Sequence, residues 1–437
     1  MPFVKKKKAR FNTNTQHTKQ ILPFAYSFFA DFMFYYSFYV SLFAKSGFSG
    51  GQLATLFVIS NASKMIADIP MGFISDIISR RSVLILGIFF RIVFCLLCLI
   101  GRDFCIFAIA MFVVGFGNSC IWTHAWNYFY DYKKGLGETA SFPNFMGKFY
   151  AISNLAIALA GFTGTYIFAQ LGFFGIFTGS ILSMLIAIVV LLQLPNYKPK
   201  TTIKTATSFG IANPLHFFKL LRQLIKKPRI VRLLLFAILA DTMFIVFIDM
   251  NTALMNISGF TPELVSQIVG LVAFIRIFSN YFSGKTEKFM KFRRMHSLLL
   301  VLMSIGIMAS IKNSLWVIFS VSLYLFVYPF FDTSIKTKIQ HKVDDNTRAT
   351  IMSLASLFVS IFAITFNALI GIVADDSGYF SAPICIFLLV IIVLFVVRNM
   401  MYFYRLDAGI KRIIDNRKGK FYNFKKRKRM LINKSKK

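Results

Sequence analysis

The chain has 437 residues, of which 57% (about 249) are hydrophobic and only 15% charged, with a mean hydropathy of +0.65. A bilayer-spanning helix takes ~20 mostly apolar residues, so this composition fills roughly twelve of them. That excludes a water-soluble enzyme, a fibrous protein and a disordered chain. The balance of 50 Lys and Arg against 17 Asp and Glu gives +33. In a soluble protein such an excess points to nucleic acid, but in a membrane protein it belongs to cytoplasmic loops, and nucleic acid is not expected as a partner. Heavy use of Lys, Phe, Ile and Asn offers a second source for part of the charge, an AT-rich coding sequence.

Apolar runs fall at about 21–44, 51–75, 82–101, 104–127, 146–170 and 173–194, then at about 229–256, 263–283, 296–311, 314–335, 349–373 and 380–404. The fold class expected is an all-α polytopic membrane protein with twelve transmembrane helices. The expected organisation is a basic N-tail (1–20), a first six-helix bundle (21–194), a connector (195–228), a second bundle (229–404) and a basic C-tail (405–437). The first run follows Lys5–Lys8 and Arg10, but it is too long for a signal peptide and lacks a small-residue cleavage site, so it reads as an uncleaved span. Of the 50 basic residues, 43 lie in the tails and in loops on one side, against Lys45, Arg102 and Lys312 on the other. The positive-inside rule then places both termini in the cytoplasm.

The two halves repeat. Ala30-Asp31 and Met33-Phe34 recur as Ala240-Asp241 and Met243-Phe244, and Gly47-Phe48-Ser49 recurs as Gly259-Phe260-Thr261. At the latter offset Lys64 aligns with Arg276 and Gly72 with Gly284, while Lys148 and Ser153 pair with Arg348 and Ser353. Six spans is an even number, so both halves run in the same orientation, a transporter architecture.

The loop between spans 2 and 3 carries Asp68, Pro70, Gly72, Asp76, Arg80 and Arg81. Gly72 allows two helices to approach closely, Asp76 can accept from a helix N-terminus or pair with a cation, and the two arginines anchor a cytoplasmic turn. This stretch resembles the G-x-L-A-D-x-x-G-R-K signature of the major facilitator superfamily, with Ser79 where the family usually has Gly. The resemblance implies two parallel six-helix bundles working by alternating access, and a loop that latches the halves together through Asp76 and Arg80. A second stretch runs through Gly115, Gly117, Asn118, Ser119, Ala125, Tyr130, Asp131, Gly137, Glu138, Phe142, Gly147 and Lys148. It is similar to a branch of facilitators commonly described as efflux proteins, which implies export of a drug-like or metabolite compound, a siderophore-like one included. An importer of a small metabolite coupled to protons is the alternative. Two features depart from proton-coupled exporters: span 4 has no Arg, and the Gly-rich stretch of span 5 at Ala160, Gly161 and Gly164 has no Pro.

Charges within spans are costly and face a cavity or a partner. Asp31 shares a face of span 1 with Ser27, Tyr35 and Phe38; it is a candidate for substrate or proton binding, or for a structural ion pair. Its repeat partner Asp241, with Asp249 two turns on, lies in span 7. Lys64 and Asp68 are four residues apart and can neutralise one another in a structural or gating pair. Arg276 has Asn280 where that acid would stand, so its partner must come from another helix, as must those of Arg91 and Asp332. Asn118, Trp122 and Trp126 lie along one face of span 4, suited either to an apolar or cationic ligand or to the membrane interface. His124 is more simply a packing residue than a proton carrier.

Other signals do not carry chemistry. Cys95 and Cys98 form a C-x-x-C within an apolar helix, and no second pair completes a metal site. Ser283-Gly284-Lys285-Thr286 ends like a phosphate loop, but Ser279 stands where its first Gly belongs. No ATPase signature is present, so the energy would come from an ion or solute gradient. Of the five His only His124 lies inside a span, with His296 at the very edge of the ninth run, which argues against a membrane-embedded enzyme. No cofactor or metal is expected. The expected partners are a small solute, protons where transport is coupled to them, and anionic lipid headgroups at the basic tails. The expected setting is the cytoplasmic (inner) membrane of a bacterium, as a monomer.

Overall fold

The computed structural model describes residues 13–138, 141–196, 228–257, 259–286, 322–330 and 345–377, together with 319, 332 and 339. All of these belong to one compact unit, residues 1–387; the second unit, 388–437, lies outside the described residues. So do the greater part of the two tails, most of the connector, and the expected spans 9 and 12. Among the described residues every regular element is a helix. Six of these helices are long and apolar enough to cross a membrane.

The first expected span, read as one helix over 21–44, is instead broken. Helix α1 is Thr13–Asp31 and α2 is Tyr35–Lys45, with residues 32–34 outside both. A break in an apolar span leaves backbone groups that must find partners inside the protein. They come from the far part of a later helix, α6 (Phe142–Gln193), where Ser180 Oγ accepts from the Tyr35 N–H at 3.0 Å. Ser183 Oγ donates to the Phe29 carbonyl at 2.8 Å. The apolar pattern cannot foretell the break, because these partners lie roughly 150 residues away in sequence.

Helix α3 is Gly50–Ile77, opened by a capping box in which Ser49 and Gln52 exchange side-chain and backbone hydrogen bonds. Helix α4, Arg80–Ile100, starts at Ser79, whose hydroxyl accepts from the Ser82 N–H at 3.1 Å. The Ser in place of the expected Gly is therefore an N-cap. Helix α5 is Phe104–Gly135. Helix α6 runs 52 residues, Phe142–Gln193, roughly 78 Å at the helical rise and enough for two crossings. Gly172 turns it midway with φ 59° and ψ −150°, a conformation open to glycine. This places the turn between the two runs expected at 146–170 and 173–194.

In the second half, α7 is Pro228–Ile257, α8 is Pro262–Thr286 and α9 is Asp345–Ser377. The repeat is visible in the backbone: Gly47 before α3 and Gly259 before α8 both have φ +82°. Thr261 also repeats the capping of Ser49, its Oγ1 accepting from the Leu264 N–H at 3.3 Å.

Within the first half α4 and α3 pack on α5, and α1 packs on α6. Buried rings of Tyr26, Phe38, Phe94, Phe129 and Phe177 fill this core. The halves meet chiefly where α6 lies along α8 and α3 along α9, with α2 also against α7. At the α6–α8 seam Ser266 Oγ donates to the Gly161 carbonyl at 2.8 Å, and a Cβ on Gly161 would come within 2.8 Å of Gly270 Cα. Large apolar side chains point outward all along these helices, among them Ile100, Tyr166, Phe174, Leu182 and Phe278. Such surface suits hydrocarbon rather than water.

Candidate functional site

Three groups of polar side chains lie within and between the halves. The first stands at the break in span 1. Arg91 of α4 reaches the Asp31 carboxylate at 3.6 Å and the Asn118 Oδ1 at 3.0 and 3.1 Å. It also donates to the Ala30 carbonyl at 3.4 Å, so it caps the end of α1. Ser153 Oγ donates to Asp31 at 2.6 Å. The Arg91 side chain is 5% exposed and that of Asp31 26%, so the pair is deep yet the carboxylate is reachable from one side. The group thus joins three expected candidates, Asp31, Arg91 and a member of the span 4 stripe. Ser153 enters the sequence reading only as a mark of the repeat.

The second group lies across α7, α8 and the segment 322–330 of the expected tenth span. Tyr328 Oη donates to Asp241 at 2.5 Å, and Tyr324 Oη donates to the Ala240 carbonyl at 3.0 Å. Among the described residues, tyrosines thereby hold the pair at Ala240 and Asp241 much as Ala30 and Asp31 are held in the first half. The Tyr328 ring stacks on Phe244 with centroids 4.1 Å apart, and the Arg276 guanidinium lies 5.1 Å from the Phe244 ring centre. Asp249 takes a long contact from Asn367 of α9 at 3.4 Å. Tyr36 of α2, in the other half, is within electrostatic reach of both Arg276 and Asp249. Asp332 is within such reach of Tyr324 and Tyr328. Sequence reasoning missed Tyr324 and Tyr328; their spacing of one helical turn on one face is the signal that could have found them.

The third group ties the end of α3 that leads into α4. Asp68 accepts from Ser119 of α5 at 2.5 Å and from Ser356 of α9 at 2.9 Å, a bond between the halves. The expected Lys64–Asp68 pair does not form: Lys64 Nζ instead lies 5.7 Å from the Trp122 ring centre. A carboxylate given two hydroxyl donors at closer range no longer needs the lysine on its own helix. Arg80 pairs with Asp131 of α5 at 2.5 Å and donates to the Asn127 carbonyl, so in this structure its partners lie in its own half. Arg81 donates to the carbonyls of Leu192 and Leu194 at 3.1 and 2.7 Å, capping α6. The side chain of Asp76, and the surroundings of Gly72, lie outside what is described.

The remaining candidates are dispersed. Tyr35 is buried with its ring 5.1 Å from Phe94. Trp122 is 51% exposed, whereas Trp126 packs edge-on to Phe142, so the expected span 4 face does not act as one surface. His124 is buried, Pro70 lies inside α3 and Lys148 is exposed.

Known proteins share this architecture. The family model of the Major Facilitator Superfamily matches residues 24–366. No curated protein matches the chain. Among solved structures, the crystal structure of a D-xylose-proton symporter superposes with a TM-score of 0.67 at 13% identity, covering 88% of this chain and 97% of that one. The crystal structure of a mutant of the nucleoside transporter NupG gives 0.62 at 14% identity, covering 87% and 99%. A POT family transporter in complex with 5-aminolevulinic acid gives 0.64 at 15% identity, covering 88% and 95%. At these identities the likeness is one of fold.

Proposed function

The chain belongs to the Major Facilitator Superfamily, and as a secondary transporter rather than an enzyme we propose that it exports a small drug-like or metabolite compound by rocker-switch alternating access. The observation that carries the reading is the seam itself: α6–α8 and α3–α9 join two repeats, with Arg276 and Asp249 of one half within electrostatic reach of Tyr36 of the other. Twelve spans in two parallel bundles of six, with the boundaries given above and both termini in the cytoplasm of a bacterial inner membrane, complete the proposal. Export is favoured by the likeness of the Asp68–Gly72 and Gly115–Lys148 stretches to efflux-type facilitators. The turn from the end of α3 into α4, with Asp76 in the last turn of α3, is proposed to latch the outward-facing state. Anionic lipids are proposed to meet the basic tails, and the protein is proposed to act as a monomer.

Proton-coupled import is the second reading, favoured by the likeness to a protein described as a D-xylose-proton symporter. Growth of a deletion strain across toxic compounds and metal-limited media, with metabolite profiling, separates the two. Intracellular build-up of a compound in the deletion strain supports export; loss of its uptake supports import. Identical profiles with and without the protein would sink both.

A further inference from the structure

Among the described residues, the cation left over within the spans is Arg276. Arg91 has Asp31 and Asn118. Lys64 is within electrostatic reach of Asp249 and rests near Trp122. The acids have donors of their own: Ser153 on Asp31, the two serines on Asp68, Tyr328 on Asp241, Asn367 on Asp249. Arg276 has no carboxylate within 4 Å among the described residues, and its buried Nε has no hydrogen-bond partner there. Its contact is the face of Phe244, itself stacked on Tyr328. Its main chain is well held, the carbonyl accepting from Ser279 Oγ and Asn280 Nδ2 at 3.0 and 2.9 Å.

A guanidinium held against an aromatic ring keeps its planar fork of N–H groups free at the edge, the geometry that grips a carboxylate with two parallel bonds. Leaving that fork unpaired in a membrane-embedded site is costly unless a ligand supplies the anion. Phe244, on whose face the guanidinium lies, and Tyr328 stacked on it offer an apolar wall for the rest of the molecule, and Tyr36 of the other half is within electrostatic reach. We propose that Arg276 is the anion-binding residue of the solute site, and that the solute carries a carboxylate on an apolar body. This rests on the transporter reading, and it names the class of solute.

The test uses the purified full-length protein and three matched probe pairs: benzoate with benzamide, hexanoate with hexanamide, and phenylalanine with phenylalaninamide. Thermal unfolding is followed against probe concentration. At least one acid should stabilise the wild type while its amide does not, and Arg276→Gln should weaken that response on the order of tenfold to a hundredfold. Arg276→Lys, which keeps the charge but loses the fork, should fall between. Equal responses to acid and amide, no response to any acid, or an unchanged response in folded Arg276→Gln overturns the proposal. If Arg276→Gln does not fold, the acid-against-amide comparison on the wild type decides alone. Counterflow of the same probes in proteoliposomes separates this from the wider reading. Arg276-dependent binding without movement sinks transport and leaves the anion site; movement indifferent to the carboxylate sinks the anion site and leaves transport.

Discussion

Arg91 does two things for Asp31 at once: it sits 3.6 Å from the carboxylate and it closes the end of the helix that carries it, at the Ala30 carbonyl. Charge pairing and helix capping at a break in span 1 thus depend on one guanidinium that is almost wholly buried. Broken helices at membrane depth present backbone groups that ligands and ions can use. The break is held from outside, by Ser180 and Ser183 of α6.

The first prediction follows from that double role. Arg91→Gln leaves Asp31 with Ser153 as its remaining donor and uncaps α1, and is expected to cost ~1–3 kcal/mol, as loss of hydrogen bonds to a charged group does. Asp31→Asn leaves Arg91 its bonds to Asn118 and Ala30 and should cost less. Combining the two should recover part of the loss. Thermal unfolding of the four proteins in one detergent checks it; strictly additive losses would show that the pair is not coupled.

Much of this arrangement was legible in the sequence, and the part that was not has a physical reason. The apolar runs outline the described helices, since they follow from the cost of moving charge and backbone into hydrocarbon. The repeat of Gly47 in Gly259 was readable because a positive φ demands the same residue twice. Residue types along a single helix also flagged Asp31, Arg91, Asp68 and Arg276. Which of them touch is a tertiary matter. Lys64 and Asp68 satisfy helical spacing, yet two serines from α5 and α9 take the carboxylate. Ser180 and Ser356 could not be singled out, because a serine in a span looks alike whether it bonds its own helix or a neighbour. Ser153 was visible as part of the repeat, but its bond to Asp31 was not, for the same reason.

The second prediction concerns Arg80 and Asp131. The pair is part-exposed, so its own contribution to stability is about 1 kcal/mol or less. Its larger effect is expected on transport, by fixing the α3–α4 turn against α5. Asp131→Asn should lower the transport rate with little change in unfolding temperature, and the exchange Arg80→Asp with Asp131→Arg should restore part of it. A wild-type rate in Asp131→Asn vesicles would remove the pair from the mechanism. Asp76→Asn, in the same turn, is expected to insert normally and transport poorly.

The third prediction uses the side-chain bond between α3 and α9. Ser356 of the second half donates to Asp68 of the first, and alternating access requires such bonds to break in each cycle. Cysteines placed at both positions, joined by a short bifunctional reagent with a reducible link, should arrest transport, and reductive release should restore it. Undiminished transport by the cross-linked protein would place this contact outside the moving parts.

The α6–α8 seam gives the fourth. A Cβ at Gly161 would lie 2.8 Å from both Gly270 Cα and the Ser266 carbonyl oxygen, which are backbone atoms that cannot step aside singly. Gly161→Leu should force the two helices apart, remove the Ser266 bond and abolish transport, whereas Ser266→Ala removes only the bond and should be mild. The ratio of the two effects, read as transport rate per folded protein, checks that close packing rather than the hydrogen bond holds the seam.

The last prediction concerns coupling. Asp31 and Asp241 occupy matching places in the two halves, one beside a fixed cation and the other beside a tyrosine hydroxyl. Two ways of using Asp31 make different predictions. If protons drive the cycle through Asp31, Asp31→Asn should lose accumulation driven by an imposed pH gradient in proteoliposomes while keeping solute exchange. If the Asp31–Arg91 pair is instead a brace for the broken helix, Asp31→Asn should slow exchange and gradient-driven accumulation alike, and Arg91→Gln should do the same. Asp241→Asn, which removes the carboxylate acceptor for Tyr328 beside the Phe244 wall, is expected to change the concentration of solute needed for half-maximal rate more than the response to the gradient. A wild type that ignores the gradient altogether would make the protein a uniporter or one coupled to another ion, in keeping with a span 4 without Arg and a span 5 without Pro.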